Sequence, residues 1–255
     1  MREAHYTDTA RPAPLLGHLV LVTGGARRIG GVVSRHLGAL GARVAVHCHT
    51  SEQAAQELVS ELPAGSFVLQ ADLATADGAS RIYRELDRRA ESPDLFVHCA
   101  ASFVRADLEA SDAALWDHAL ALNLRSFALV AREMVRRREA SGGVMVAIAD
   151  AAGVELWPNY LAHSVAKAGL IALVKSMAKG LGPAFRVNAV VPGPVLPPEG
   201  TTATERSAME ERTLVKRLGS PQDVARAVEF LVLSDFVTGA SIHVTGGSEL
   251  WRGKV

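Results

Sequence analysis

The chain has 255 residues, 49% hydrophobic and 21% charged, which suits one sizeable buried core in a single α/β domain. Lys plus Arg and Asp plus Glu are both 27, so the formal charge is zero and no uniform field is available to draw nucleic acid or an anionic membrane. The two cysteines, Cys48 and Cys99, each follow a strand-like run without metal-ligand spacing, which predicts free thiols in a reducing, cytoplasmic setting and no metal site.

In chain order, residues 1–16 mix charge, proline and histidine without an apolar stretch, so the expectation is a flexible leader ahead of one domain over residues 17–255. Short runs rich in β-branched residues at 19–23, 44–47, 67–70, 95–98, 144–149, 186–191 and 241–244 predict seven buried strands. Helical spacing predicts helices over 29–40, 53–62, 76–91, 113–139, 160–181 and 221–233. This alternation demands right-handed crossovers, hence a doubly wound, Rossmann-like, parallel seven-stranded sheet with helices on both faces. The Pro- and Gly-rich stretch 192–204 reads as a mobile loop over the site. In such sheets ligands bind beyond the carboxyl ends of the strands, so the residues just after each run matter most.

After the first strand comes Thr23-Gly24-Gly25-Ala26-Arg27-Arg28-Ile29-Gly30, where small residues let backbone N–H groups approach a pyrophosphate at a helix N-terminus. A site for unphosphorylated NAD places a carboxylate at the end of the second strand. Here that place reads His47-Cys48-His49-Thr50-Ser51. With no acid to repel a 2′-phosphate, and with Arg27, His49 and Ser51 as donors, NADP(H) is the expected cofactor. A metal pair at His47 and His49 lacks a third ligand.

The turn resembles that of the short-chain dehydrogenase/reductase family, Thr-Gly-x-x-x-Gly-x-Gly, and Arg28 at the middle glycine position is similar to the pteridine-reductase-like branch. The resemblance runs from about Leu19 to Gly247. It implies that Gly24 and Ile29 belong to the phosphate turn and that the Asp72 carboxylate, beside Leu73, accepts from the adenine amino group. It also implies that Cys99, Ala100 and Ala101 floor the cofactor groove and that Pro192, Gly193 and Val195 hold the nicotinamide carboxamide. Asn123 and Lys167 match the family's catalytic Asn and Lys, the latter gripping the nicotinamide ribose. Four residues before Lys167 the family's Tyr is replaced by His163, and its Ser by Asp150, at the spacing from the acid–base residue that pteridine reductases show.

Arg28, Ser102, Phe103, Asp150 and Tyr160 are the expected substrate contacts, Phe103 either covering a planar pterin or packing under the next helix. His163 has three readings: proton donor, a site where the Tyr160 hydroxyl deputises, or the mark of a chain that binds cofactor without turning over. The function implied is NADPH-dependent reduction of a pterin-like or other planar ring. The alternatives are a silent NADP-binding regulatory protein and a divergent reductase or isomerase of secondary metabolism. The partners implied are a small-molecule substrate and further copies of the chain, as a homotetramer or homodimer built on helices 113–139 and 160–181.

Overall fold

The computed structural model describes residues 13–198 and 200–251. Its strands are β1 (Leu19–Thr23), β2 (Arg43–Cys48), β3 (Phe67–Gln70), β4 (Leu95–His98), β5 (Gly143–Ile148), β6 (Phe185–Pro192) and β7 (Ser241–Val244). They form one parallel sheet in the order β3-β2-β1-β4-β5-β6-β7, as the alternation of elements predicts. Successive side chains point to opposite faces of such a sheet, and both faces are covered. Leu19, Leu21, Phe96, Met145 and Val187 pack with Tyr83, Phe127 and Leu170 on one side. Val20, Val22, Val44, Val46 and Val97 pack with Val33, Leu58 and Val228 on the other. Each such side chain contributes roughly 1.5–3 kcal/mol on burial, so these two layers hold the sheet.

The helices are α1 (Arg28–Ala39), α2 (Glu52–Glu61), α3 (Gly78–Arg88), α4 (Ala113–Leu120), α5 (Ser126–Arg138), α6 (Ala152–Glu155), α7 (Leu161–Leu181), α8 (Ala203–Glu211) and α9 (Pro221–Leu233). Helix α9 has the expected limits because Ser220 and Asp223 form a reciprocal capping box and Pro221 opens the first turn. Helix α7 is long and apolar enough to cross a membrane by length and composition, yet Ala162, Ala166, Leu170 and Val174 are buried in this fold, the pattern of a core helix.

Three elements depart from expectation. The single helix over 113–139 is interrupted by a π-turn, Ala121–Arg125, between α4 and α5. Part of the stretch taken as loop is ordered: β6 runs through Pro192, and a capping box of Thr202 with Glu205 starts α8. Helix α7 starts one residue late, because Tyr160 has φ −138° and ψ 47° and stands outside the helix. Of the leader expected over 1–16, residues 1–12 lie outside the described residues, whereas Leu15 is buried and its N–H donates to the Leu40 carbonyl. The direction of strand addition reverses between β1 and β4, and the loops leaving these two strands diverge into a crevice.

Candidate active site

The turn from β1 into α1 is held by backbone. Gly24 has φ +61°, and a Cβ there would lie 2.8 Å from Ala100 Cα; a Cβ on Gly30 would lie 2.0 Å from the Gly24 carbonyl oxygen. Only glycine fits either place. Arg28 stands at φ +51°, the left-handed region that explains why the family prefers glycine there. The N-terminus of α1 has no side-chain cap and no acid in its first turn, so its amide donors remain open to an anion. The exposed Arg27 and Arg28 flank it. A diphosphate fits this cradle by both shape and charge.

At the end of β2 the two histidines part company. His49 and Thr50 are exposed and Ser51 is half-buried, on the rim where a 2′-phosphate donor is wanted. His47 is 2% exposed; its Nδ1 accepts the Gly24 N–H at 3.1 Å and its Nε2 donates to the Ala71 carbonyl at 3.0 Å. Burial pushes it down to about 4, so it stays neutral. The expectation that His47 contacts cofactor is therefore corrected: it props the glycine turn from beneath, and both ring nitrogens are spent within the protein. Asp72 accepts the Ala74 N–H through Oδ1 at 2.9 Å, closing a turn after β3, and Leu73 beside it is buried. Asp77 stands at the start of α3.

Across the crevice, four elements converge. Lys167, one turn beyond His163 on α7, is 3% exposed and donates through Nζ to the Ile148 carbonyl at 2.8 Å. Burial pulls its ammonium down to about 8, opposed by the Asp150 carboxylate. Asp150, just after β5, accepts the Ala152 N–H through Oδ1 and turns Oδ2 toward His163 Nε2 at 3.6 Å. Asn123 sits in the π-turn, a distortion often found at functional sites. Its Oδ1 accepts the Ser102 N–H at 2.8 Å and its Nδ2 donates to the Ser102 carbonyl at 3.1 Å. That same carbonyl takes His163 Nδ1 at 3.0 Å. A carbonyl only accepts, so Nδ1 carries a hydrogen and the neutral ring presents a bare Nε2. This Nε2 is buried and has no hydrogen-bond partner.

Aromatic rings wall the same place. Phe103, 47% exposed, stacks on Tyr160 with centroids 4.4 Å apart and meets His163 edge-on at 4.9 Å. Trp157 completes the wall, edge-on to both rings, with Nε1 donating to Glu155 at 2.6 Å. Tyr160 thus lies outside the helical face expected of it and serves as the stacking partner of Phe103. The ring contacts of Phe103 are to Tyr160, Trp157 and His163. Beyond β6, Gly193 donates to the Val244 carbonyl and leaves no room for a Cβ, which would lie 2.8 Å from Thr245 Cα. Pro192 accepts the Ala151 N–H, and Val195 is buried with its own N–H spent on Gly193.

A family model described as enoyl-(acyl carrier protein) reductase matches residues 24–249. The chain belongs to the short-chain dehydrogenase/reductase family. It is 30% identical to an NADPH-dependent chloroplastic aldehyde reductase 2 of Arabidopsis thaliana, over 92% of this chain and 95% of that one. Among solved structures it is similar to the FolM alternative dihydrofolate reductase 1 of Brucella canis complexed with NADP, with TM-score 0.88, 29% identity and coverage of 96% of this chain and 98% of that one. It is also similar to the promiscuous reductase LugOII, which catalyses keto-reduction at C1 during lugdunomycin biosynthesis, with TM-score 0.84, 30% identity and coverage of 93% and 99%.

Within this family member, sequence reasoning missed several supports of the site. His98, which in sequence ends β4 and heads the segment that floors the groove, is fully buried between Thr23 Oγ1 at 2.8 Å and Ser126 Oγ at 3.1 Å, and burial pushes it down to about 3. A histidine closing an otherwise apolar strand was the available signal. Glu155 was also missed: besides Trp157 it accepts from Ser248 Oγ at 2.8 Å, tying the aromatic wall to the C-terminal turn. Nothing local in the sequence announces a contact across that distance.

Proposed function

We propose that this protein is an NADPH-dependent reductase of a planar, pterin-like ring, with His163 as proton donor and Asp150 as the carboxylate that faces its donor atom. The observation that carries the reading is the buried, unpartnered Nε2 of His163 facing Asp150 Oδ2 at 3.6 Å. Two lone-pair carriers facing one another call for a proton between them or for a polar atom of a ligand.

Gly24 and Ile29 would hold the pyrophosphate, Arg27, Arg28, His49, Thr50 and Ser51 the 2′-phosphate rim, Asp72 and Leu73 the adenine, and Cys99, Ala100 and Ala101 the groove floor. Lys167 would hold the ribose, and Pro192, Gly193 and Val195 the carboxamide. When bound, NADPH supplies the hydride. The protein's own part is the proton. Because Nδ1–H is committed to Ser102, protonation takes place at Nε2, and the resulting imidazolium is paired with Asp150. As a hydride bonds to the carbon of the substrate C=N group and the π pair moves onto the nitrogen, Nε2–H passes its proton to that nitrogen. Asp150, whose side chain is 26% exposed, then returns a proton from solvent to Nε2. The Lys167 ammonium, fixed by the Ile148 carbonyl, adds positive charge beside the reacting centre.

NADPH oxidation with a dihydropteridine and with dihydrofolate tests this. Turnover that collapses in both His163→Gln and Asp150→Asn, with cofactor affinity retained, supports it. Turnover unchanged in both variants overturns it.

A second reading, keto-reduction of a polycyclic substrate, is favoured by the Tyr160 ring, which already covers one face of Phe103. The similarity to LugOII points the same way. Turnover of a fused-ring aromatic ketone with no turnover of either pteridine selects it. We further propose a homotetramer or homodimer joined through α4, α5 and α7, where Val165 is 45% exposed on an otherwise apolar helix. Light scattering at the monomer mass would refute it. The free thiols Cys48 and Cys99 support a cytoplasmic setting.

A further inference from the structure

We propose that Ser126, backed by His98, is a positioning residue that locks the π-turn and, through Asn123 and Ser102, holds the neutral ring of His163 in its Nδ1–H form, leaving Nε2 as the atom that takes up and delivers the proton. The inference rests on His163 being the proton donor, and its supports form one continuous chain of hydrogen bonds.

The chain starts in the π-turn. The Ser126 N–H bonds the Ala121 carbonyl, five residues back, where in an α-helix it would bond Leu122. The Leu122 carbonyl is taken instead by the Ser126 hydroxyl at 2.6 Å. That hydroxyl has one hydrogen and has now used it, so toward His98 it can only accept. His98 therefore carries its hydrogen on Nε2, 3.1 Å from Ser126 Oγ, and its Nδ1 accepts from the Thr23 hydroxyl at 2.8 Å. Every polar atom in this buried run has a defined direction.

The consequence reaches His163. The widened turn places Asn123, fully buried, so that its amide grips both the N–H and the carbonyl of Ser102. The gripped carbonyl faces His163 Nδ1 and can only accept, which excludes the Nε2–H form of the neutral ring. Without the Ser126 hydroxyl, a regular α-helical turn becomes the better way to satisfy the Leu122 carbonyl. Asn123 would then rotate about the helix axis, Ser102 would lose its clamp, and either nitrogen of His163 could carry the hydrogen. Thr23 opens the glycine turn, so the same chain ties the cofactor cradle to the acid.

The test is nitrogen NMR on the full-length chain labelled with 15N-histidine, where the two ring nitrogens report the tautomer directly and no turnover is needed. The His163 signals are assigned by their loss in His163→Gln. The expected result is a single Nδ1–H form for neutral His163 in the wild type and a mixture of both forms in Ser126→Ala. In parallel, kcat falls about tenfold while KM for NADPH stays within about twofold, a fraction of the 10²–10⁴ that a general acid supplies. Ser126→Thr, which keeps the hydroxyl, restores both readouts. Should Ser126→Ala not fold, Ser126→Cys keeps the volume with a poor donor and is expected to show the same mixture. A wild-type ring already in mixed form, or an unchanged Nδ1–H form in Ser126→Ala or Ser126→Cys, overturns the proposal. An altered tautomer in a protein that reduces no pterin or ketone would leave the positioning role intact and remove the reductase reading instead.

Discussion

The glycine cradle after β1 and the acid–base cluster around α7 face each other across one crevice, yet they are made of different things. In the cradle the work falls to backbone: Gly24, Gly25 and Gly30 without room for a Cβ, open amides at the head of α1, and His47 holding Gly24 from below with no nitrogen to spare. In the cluster it falls to side chains from the loops after β4 and β5, the π-turn and α7, and one of them, His163, keeps a buried nitrogen unpartnered. The open amides of the cradle face the crevice, where water can reach them until an anion arrives. The unpartnered ring nitrogen of the cluster is buried and is held at a cost in stability.

That contrast can be broken at either end. The largest effect is expected at the chemical end: His163→Gln should lower kcat by about 10²–10⁴-fold while the dissociation constant for NADPH stays within about threefold, measured by stopped-flow turnover and fluorescence titration. Equal losses in both quantities would mean that the two regions are not separable.

Acid stability compares the two buried histidines that support these regions. His47 beneath the cradle is lowered to about 4 and His98 beneath the cluster to about 3, from an ordinary 6.5. Both folded values are depressed, so the unfolded chain binds more protons and stability falls as pH drops below about 6.5. Each histidine contributes about 1.4 kcal/mol per pH unit to that fall until its folded value is reached. Urea unfolding of His98→Asn between pH 6.5 and 4 should show a slope shallower than wild type by about one proton's worth. An identical slope would mean that His98 is not held neutral.

Lys167 carries a burial cost of the same sign in a higher pH window. Its folded value of about 8 lies below the ordinary 10.5, so at neutral pH the buried charge opposes folding, and this penalty fades as pH rises from about 8 to 10.5. Lys167→Met should raise stability at pH 7 by roughly 3 kcal/mol, with the advantage gone near pH 10.5, while turnover is lost. A destabilised variant would show that the lysine is structural.

At the cradle, Gly30→Ala should weaken NADPH binding about a hundredfold, or roughly 2.7 kcal/mol, because the new Cβ meets the Gly24 carbonyl at 2.0 Å and the turn must move. Affinity within about threefold of wild type would place the cofactor elsewhere. The smallest effect is expected at Thr202→Ala, which removes the α8 capping box at a cost of about 1 kcal/mol and should raise amide exchange at Glu205 without altering the crevice.

Legibility in the sequence followed the same division. The limits of β1, β3, β4, β7 and α9 stand where hydrophobic period and turn residues put them. The glycine turn was readable because its constraint lies within eight successive residues. Helix α8 was readable too, through Thr202 and Glu205 at capping-box spacing, but the Pro- and Gly-rich composition around it pointed to a loop. The π-turn was not, since no residue pattern in 113–139 breaks the helical period. His47 and His49 show the limit most plainly, being two residues apart in one motif with one ring sealed in the protein and the other exposed.

By itself the sequence determined the sheet, the cofactor turn and the family, because strand periodicity and glycine sterics act between near neighbours in the chain. Tertiary structure alone decided which histidine is free, which nitrogen of His163 carries hydrogen and what stacks on Phe103. Those outcomes depend on hydrogen bonds and ring contacts between residues 23 to 61 positions apart, whose direction is set only when the strands and helices pack.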